Sequence, residues 1–300
     1  MEMLTVAVSS RALFNLEDGN TIFQTEGWAA FDAYMRKNEK KPLRPGVAFP
    51  VIQKLLALNI EGAPRKVDVI LLSSNTLDAG ARVMNSVRHY GLNIDRAFFT
   101  SGGNRFSIAQ AGNVTLFLST NPDEVRRALD RGIASACVQP HSHVGESAPG
   151  IRIAFDGDSV LFDDSAERVN HESGLAAFTQ NEQKQARIPL GAGPFKPVLQ
   201  ALQEIQESYA DAADCPIRVA LVTARSVSAY ERVLHTFRTW RVKVDECFLC
   251  GGLPKGPFLA AFGADLFFDD GMHNIESAAQ YVPSGHVPHG VANQEMAVTA

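Results

Sequence analysis

Short, continuous apolar runs alternate with longer segments of helical period along the whole chain. The runs LTVAVSS, VDVILLSS, RAFFTSGG and VTLFLST fall in the first half, and IRIAFDGD, IRVALVTA, ECFLCGG and ADLFFDD in the second. Each is about the length of a strand, and all but IRVALVTA, which closes on Thr-Ala, end in Ser, Thr, Gly or Asp, residues that favour turns. Between them, residues 51–58, 79–90, 197–207 and 229–240 carry apolar side chains three and four apart, the spacing of one helix face. A strand that is apolar throughout is covered on both faces. The pattern predicts an α/β protein with a parallel sheet between helical layers.

The two sets of strands match in order. GWAAF at 27–31 answers GLAAF at 174–178, and Pro42 and Pro50 answer Pro189 and Pro197, all at an offset of 147. Later the offset becomes 150, with Arg82, Asp95, Phe98 and Leu116 matching Arg232, Asp245, Phe248 and Leu266. A steady offset predicts a duplicated α/β unit. The expected organisation is a first unit at 1–140, a linker at 141–150 rich in turn residues, a second unit at 151–285, and a poorly ordered tail at 286–300. His141, His143, His286 and His289 fall in Pro- and Gly-rich stretches and read as surface loop histidines.

In open parallel sheets ligands bind beyond the C-terminal ends of the strands. Four strands of the second half end there in Asp156-Gly-Asp158, Thr223-Ala224-Arg225, Gly251-Gly-Leu-Pro-Lys255 and Asp269-Asp270. Alone, each has a plainer role: an Asp after a strand caps a helix or turn, Thr caps a helix, and Lys is solvated. Together they suit phosphoryl transfer. A carboxylate can attack phosphorus, and a second one two residues on can move the proton. A divalent cation, a lysine and a hydroxyl can balance the charge on phosphate. Oxygen-only acidic ligands favour Mg²⁺.

The series D-x-D, Thr, Lys, acidic pair resembles the haloacid dehalogenase-like phosphatases. AVSSRALFNLE, PLRPGVAFP, SVRHYGLNIDRAFFTSG, FDGDSVLF and GLPKGPFLAAFGADLFFDD are similar to the cytosolic 5′-nucleotidase I family, over nearly the whole chain. The resemblance implies Mg²⁺-dependent hydrolysis of nucleoside 5′-monophosphates, AMP- or IMP-like, through an aspartyl-phosphate. It implies a Rossmann-like catalytic unit with a small cap at about 163–196, which Asp163 and Asp164 would enter. Asp156 would be the nucleophile and a metal ligand, and Asp158 the general acid/base with its main-chain carbonyl on the metal. Thr223 and Ala224 would hold phosphate, Lys255 would neutralise it, and Asp269, Asp270 or both would complete the metal site. The same machinery acting on a sugar phosphate, or a non-catalytic nucleotide-binding regulator, remains an alternative.

The first half lacks this set. At the same offsets Asp156 falls on Ser9, Asp158 on Arg11, Thr223 on Ser73, Lys255 on Arg105, and Asp269-Asp270 on Ser119-Thr120. Without a carboxylate nucleophile or metal ligands it reads as a degenerate copy. Ser9, Arg11 and Ser73 are candidates for nucleotide or anion contacts there.

Composition narrows the partners. The 300 residues are 45% hydrophobic and 20% charged with a net charge of −5, so no basic surface predicts a nucleic acid duplex as partner. No apolar run approaches the ~18 residues of a membrane span, and MEMLTVAVSS lacks the basic start of a signal peptide. Four cysteines are too few for a disulfide framework, and Cys247-x-x-Cys250 has no matching pair for zinc. A reduced, cytoplasmic protein with a small-molecule substrate is expected, and a homo-oligomer is compatible with the sequence.

Overall fold

The strand runs become strands and the periodic segments become helices, in the order the pattern predicts. The computed structural model describes residues 3–141 and 149–294. His143 and most of the expected linker lie outside the described residues. The chain divides into two units, Met3–Ile133 and Ala134–Ala300.

In the first unit four parallel strands, β1 (Leu4–Val8), β2 (Val67–Ser73), β3 (Arg96–Phe99) and β4 (Leu116–Ser119), take the order β4-β1-β2-β3. The register sets Leu4 against Val67, Val6 against Leu116, and Ile70 against Arg96. Every residue of β1, β2 and β4 is buried, as expected for strands covered on both faces. Ala7, Ile70, Leu72 and Phe117 pack on Phe106 and Ala109 of the helix Phe106–Ala111.

The second unit holds β5 (Ala134–Val138), β6 (Ile151–Phe155), β7 (Ile217–Thr223), β8 (Glu246–Leu249), β9 (Leu266–Asp269) and β10 (Ser284–His286). Their order is β8-β7-β6-β9-β10-β5. All neighbours are parallel except β10 and β5, which run antiparallel. The order β9-β6-β7-β8 repeats that of β4-β1-β2-β3. Under the strand ends, Phe268 packs on Phe155 and Phe195 with ring centroids 5.5 and 4.6 Å apart. Burying a ring of this size is worth about 1.5–3 kcal/mol, and these rings lie under the ends of β6 and β9 that carry the carboxylates.

Two strands of the second unit were not expected from the pattern. β5 is ASACV, too small and too polar to stand out, and β10 is SGH. Because β5 pairs with β10, the division between units falls at Ile133/Ala134 rather than within 141–150. The tail expectation is likewise corrected for residues up to 294. Val287 is fully buried, His286 is buried within β10, and residues 291–293 form a short 3₁₀ turn. Residues 295–300 lie outside the described residues. Among those described, no helix is long and apolar enough to cross a membrane.

Candidate active site

The C-terminal ends of β6, β7, β8 and β9 converge on one cavity of about 530 Å³ in the second unit. β6 ends in Asp156, whose Oδ1 accepts from the Gly157 N–H at 2.7 Å. The chain then makes one wide turn, closed by the Phe162 N–H donating to the Gly157 carbonyl at 2.8 Å. Within it Ser159 adopts a left-handed conformation, φ 61°, although it is not glycine. Such a position costs of order 1–3 kcal/mol and persists only where its surroundings fix it. Here the fully buried Ser159 hydroxyl donates to Glu167 at 2.6 Å, and Gly290 lies so close that a Cβ there would sit 2.0 Å from Ser159 Oγ.

β8 leads into Gly251 and Gly252 at φ 58° and 86°, a bend that glycine makes without strain. Their amides donate to the carbonyls of Arg225 and Ala224, both at 3.1 Å, fastening the loop of Lys255 to the end of β7. Lys255 then reaches Asp156 Oδ1 at 2.8 Å and Asp269 Oδ2 at 2.6 Å. Asp269 Oδ1 accepts from the Gly271 N–H at 2.8 Å and from Asn274 Nδ2 at 3.0 Å.

Asp156, Asp269 and Asp270, all buried, each offer an oxygen within 4.8 Å of the others, and among the described residues they are the only such group. Against these three carboxylates Lys255 supplies one positive charge. The imbalance appears as perturbed acidity. Burial pushes Asp156 up to about 7, with Lys255 opposing and Asp269 and Asp158 adding repulsion. Burial, with Glu167, Asp156 and Asp269 adding repulsion, pushes Asp270 up to about 10. Lys255 is raised despite a burial that would lower it, because Asp156 and Asp269 hold the ammonium charged. Asp270 Oδ2 is the one buried side-chain oxygen or nitrogen with no hydrogen-bond partner among the described residues. A surplus of negative charge, an oxygen-only donor set and an orphaned carboxylate oxygen fit a hard divalent cation.

Asp158 stands outside that trio. Its carboxylate is held by Arg225 through two bonds, Nε to Oδ2 at 2.9 Å and Nη2 to Oδ1 at 2.7 Å. Arg225 also pairs with Glu182, which is fully buried and takes Arg232 at 2.6 Å on its other oxygen. The Arg225 guanidinium lies 5.2 Å from the Phe178 ring centroid. Glu182 and Phe178 belong to the helical stretch Ser165–Lys184, which breaks at Gly174. Removing one partner of a buried ion pair strands the others, at about 3–5 kcal/mol. Glu182→Gln is therefore expected to lower the unfolding free energy by about 3 kcal/mol. Denaturant unfolding at neutral pH checks it, and a loss below about 1 kcal/mol would contradict the buried network.

Of the expected residues, Asp156, Asp158, Thr223, Ala224, Lys255 and Asp270 line the cavity, and Asp269 lies beneath them joined to Lys255. Thr223 is almost wholly buried and its hydroxyl accepts from the Arg225 N–H at 3.3 Å. Ser9 and Arg11 line a separate cavity within the first unit. Ser73 does not: its hydroxyl is turned toward Ser10 Oγ and the Asn75 N–H, at 3.0 and 3.1 Å, and Ser74 and Asn75 line that cavity instead. Sequence reasoning missed Glu167, Asn274 and the network through Glu182. His286 and His289 are corrected from surface histidines: His286 Nε2 bonds the Asp270 carbonyl at 2.9 Å, and His289 Nδ1 bonds the Ser159 carbonyl at 3.1 Å. Asn293 also donates to the Asp270 carbonyl, at 3.0 Å, so the end of the chain holds the acidic pair in place. Cys247 and Cys250 sit on β8 and its exit, with thiols that burial pushes up.

A family model described as 5′-nucleotidase matches residues 1–294. The chain belongs to the 5′-nucleotidase family. It is 37% identical over 286 residues to cytosolic 5′-nucleotidase 1B of Homo sapiens, a match that takes in 92% of this chain and 47% of that protein. The chain thus spans about half the length of the curated relative. Family membership bears out the resemblance carried by AVSSRALFNLE, PLRPGVAFP and GLPKGPFLAAFGADLFFDD. Histidinol dehydrogenase from Elizabethkingia anophelis aligns over 94% of this chain and 79% of its own at 9% identity, and a TM-score of 0.22 gives that likeness no weight.

Proposed function

We propose that this member of the 5′-nucleotidase family hydrolyses nucleoside 5′-monophosphates to nucleoside and phosphate, with Asp156 as the nucleophile. The observation that carries the proposal is the joint placement of Asp156 beside Lys255 and within the acidic trio, in the lining of a cavity large enough for a nucleoside.

Asp156, Asp269 and Asp270 would hold Mg²⁺, with the main-chain carbonyl of Asp158 as a further ligand. Bound there, the ion supplies positive charge against the phosphate oxygens. A carboxylate oxygen of Asp156 forms the new bond to phosphorus as the bond to the nucleoside oxygen breaks. Asp158 gives that oxygen its proton, then takes one from the water that releases phosphate from Asp156. Lys255 stays protonated throughout, since its carboxylate neighbours hold its charge, and it balances the equatorial oxygens. Thr223 and Ala224 cradle the phosphate. Arg225 holds the Asp158 carboxylate through two hydrogen bonds. For the first step the proton has to be on Asp158, so substrate entry has to displace that contact.

Glu167, Asn170, Leu175, Phe178 and Thr179, from the stretch Ser165–Lys184, line one wall of the cavity. We assign residues 163–196 as the cap that closes over the nucleoside and excludes water from the aspartyl-phosphate. The purine monophosphates AMP and IMP, and a cytoplasmic setting, follow from the resemblance to the cytosolic relatives.

Phosphate release from a panel of nucleoside monophosphates and sugar phosphates, with Mg²⁺ and with EDTA, tests the reading. Metal-dependent release from nucleotides at least ~100-fold faster than from sugar phosphates is expected, since a site that fixes a nucleoside by buried polar groups rejects a ligand lacking it. Release mainly from sugar phosphates would discard the substrate, and release undiminished by EDTA would discard the metal.

A further inference from the structure

The first unit carries a cavity of its own, about 180 Å³, at the ends of β1, β2 and β4. Most of its lining corresponds to that of the second unit's cavity at the offsets 147 and 150. Ser9, Arg11, Phe31, Asn75, Arg105 and Thr120 stand where Asp156, Asp158, Phe178, Arg225, Lys255 and Asp270 stand. The surrounding bonds correspond too. The Leu43 N–H donates to Ser86 Oγ, which donates to the Arg82 carbonyl, and Leu190, Thr236 and Arg232 make the same chain of bonds.

What differs is charge. The second cavity is lined by Asp156, Asp158, Glu167 and Asp270 against Arg225 and Lys255. The first is lined by Arg11 and Arg105 against Glu124 alone, and Glu124 is already taken by Arg105 at 2.9 Å and by Ser119 Oγ at 2.8 Å. Arg11 has no ion-pair or hydrogen-bond partner among the described residues. The buried Ser9 hydroxyl accepts from the Ala12 N–H at 3.2 Å, but its own proton has no acceptor among those residues. A free guanidinium beside a buried hydroxyl donor forms a site for an anion that needs no metal ion. On the other side of the lining, Phe23, Trp28 and Phe31 form a ring cluster with centroids 4.6–6.4 Å apart. Trp28 is 45% exposed and so leaves ring surface open for a flat ligand to stack on. In the second unit the positions of Phe23 and Trp28 hold Asn170 and Leu175.

We propose that this cavity is a second nucleotide site, which binds a nucleoside monophosphate through its phosphate, without metal and without hydrolysis, and stacks its base at Trp28. No carboxylate stands where Asp156 does, so the bound phosphate meets no carboxylate nucleophile. The inference is independent of the phosphatase reading, because it concerns binding in the absence of Mg²⁺.

The test uses the full chain with Trp240→Phe, which leaves Trp28 as the single tryptophan, titrated with AMP in EDTA and followed by fluorescence. A saturable change is expected, weakened at least about tenfold by Arg11→Ala, as for loss of a charge-assisted hydrogen bond, and unaltered by Asp156→Asn. Arg11 is exposed and unpaired, so its removal does not threaten folding. No saturable change, a change insensitive to Arg11→Ala, or one lost in Asp156→Asn would overturn the proposal. None of these outcomes bears on hydrolysis measured with Mg²⁺.

Discussion

Asp156→Asn is expected to abolish turnover while leaving the fold intact. Loss of a nucleophile removes the covalent route, and such losses reach about 10⁴–10⁶-fold in kcat. The amide keeps the oxygen that Gly157 N–H and Lys255 Nζ now share and changes the volume little. It also removes one of the carboxylates crowded at the trio. A carboxyl whose folded pKa is raised contributes stability below its unfolded value, near 4, and that contribution is lost as pH rises through the folded value of about 7. In EDTA at pH 8, the variant is therefore expected to melt no lower than the parent. Steady-state kinetics and thermal unfolding read the two halves of the prediction separately. A stable variant that still turns over within tenfold of the parent would remove Asp156 from the chemistry.

Lys255→Met is expected to cost both activity and stability. The ammonium is nearly fully buried and is bonded to Asp156 and Asp269. Methionine fills similar space but leaves those carboxylates facing each other, an uncompensated burial worth about 3–5 kcal/mol. The loss has a pH signature. Lys255 is the neighbour that lowers the pKa of Asp156, so its removal raises that pKa further. At pH 5 a proton on Asp156 already replaces part of the missing charge, whereas at pH 8 the fold has to hold bare carboxylates. Denaturant unfolding in EDTA is expected to show a larger loss at pH 8 than at pH 5. An equal loss at both would mean that Lys255 serves packing rather than charge. Turnover with Mg²⁺ is expected to fall by about 10²–10³-fold, as for loss of one group that stabilises developing charge.

How much of this was legible in the sequence depends on where each residue finds its partners. β1, β2, β6 and β7 announce themselves because continuous apolar runs have no other stable home than a doubly covered sheet. Asp156, Thr223 and Asp269 could be read together because each directly follows or ends such a run, and Lys255 because it lies on the Gly251-Gly252 loop that leaves the next one. β10 was missed because Ser-Gly-His has the composition of a turn, and it is its pairing with β9 and β5 that makes it a strand. Arg225 was visible as a residue but not as a partner of Asp158 and Glu182, which lie 67 and 43 residues away. No local rule predicts that a polar-looking helix will bury Glu182 completely. The same holds for His286 and Asn293, whose bonds to the Asp270 carbonyl come from a stretch that reads as a loose tail.

The central claim is that Asp156 takes the phosphoryl group, and one measurement addresses it directly. The full chain with Mg²⁺ is mixed with a nucleoside monophosphate radiolabelled at phosphorus, quenched in acid within a turnover, and digested for mass spectrometry. The account predicts a transient label on the peptide carrying Asp156, which vanishes as free phosphate appears. Phosphate release at full rate, with no labelled chain at any quench time or with the label on another residue, would contradict it.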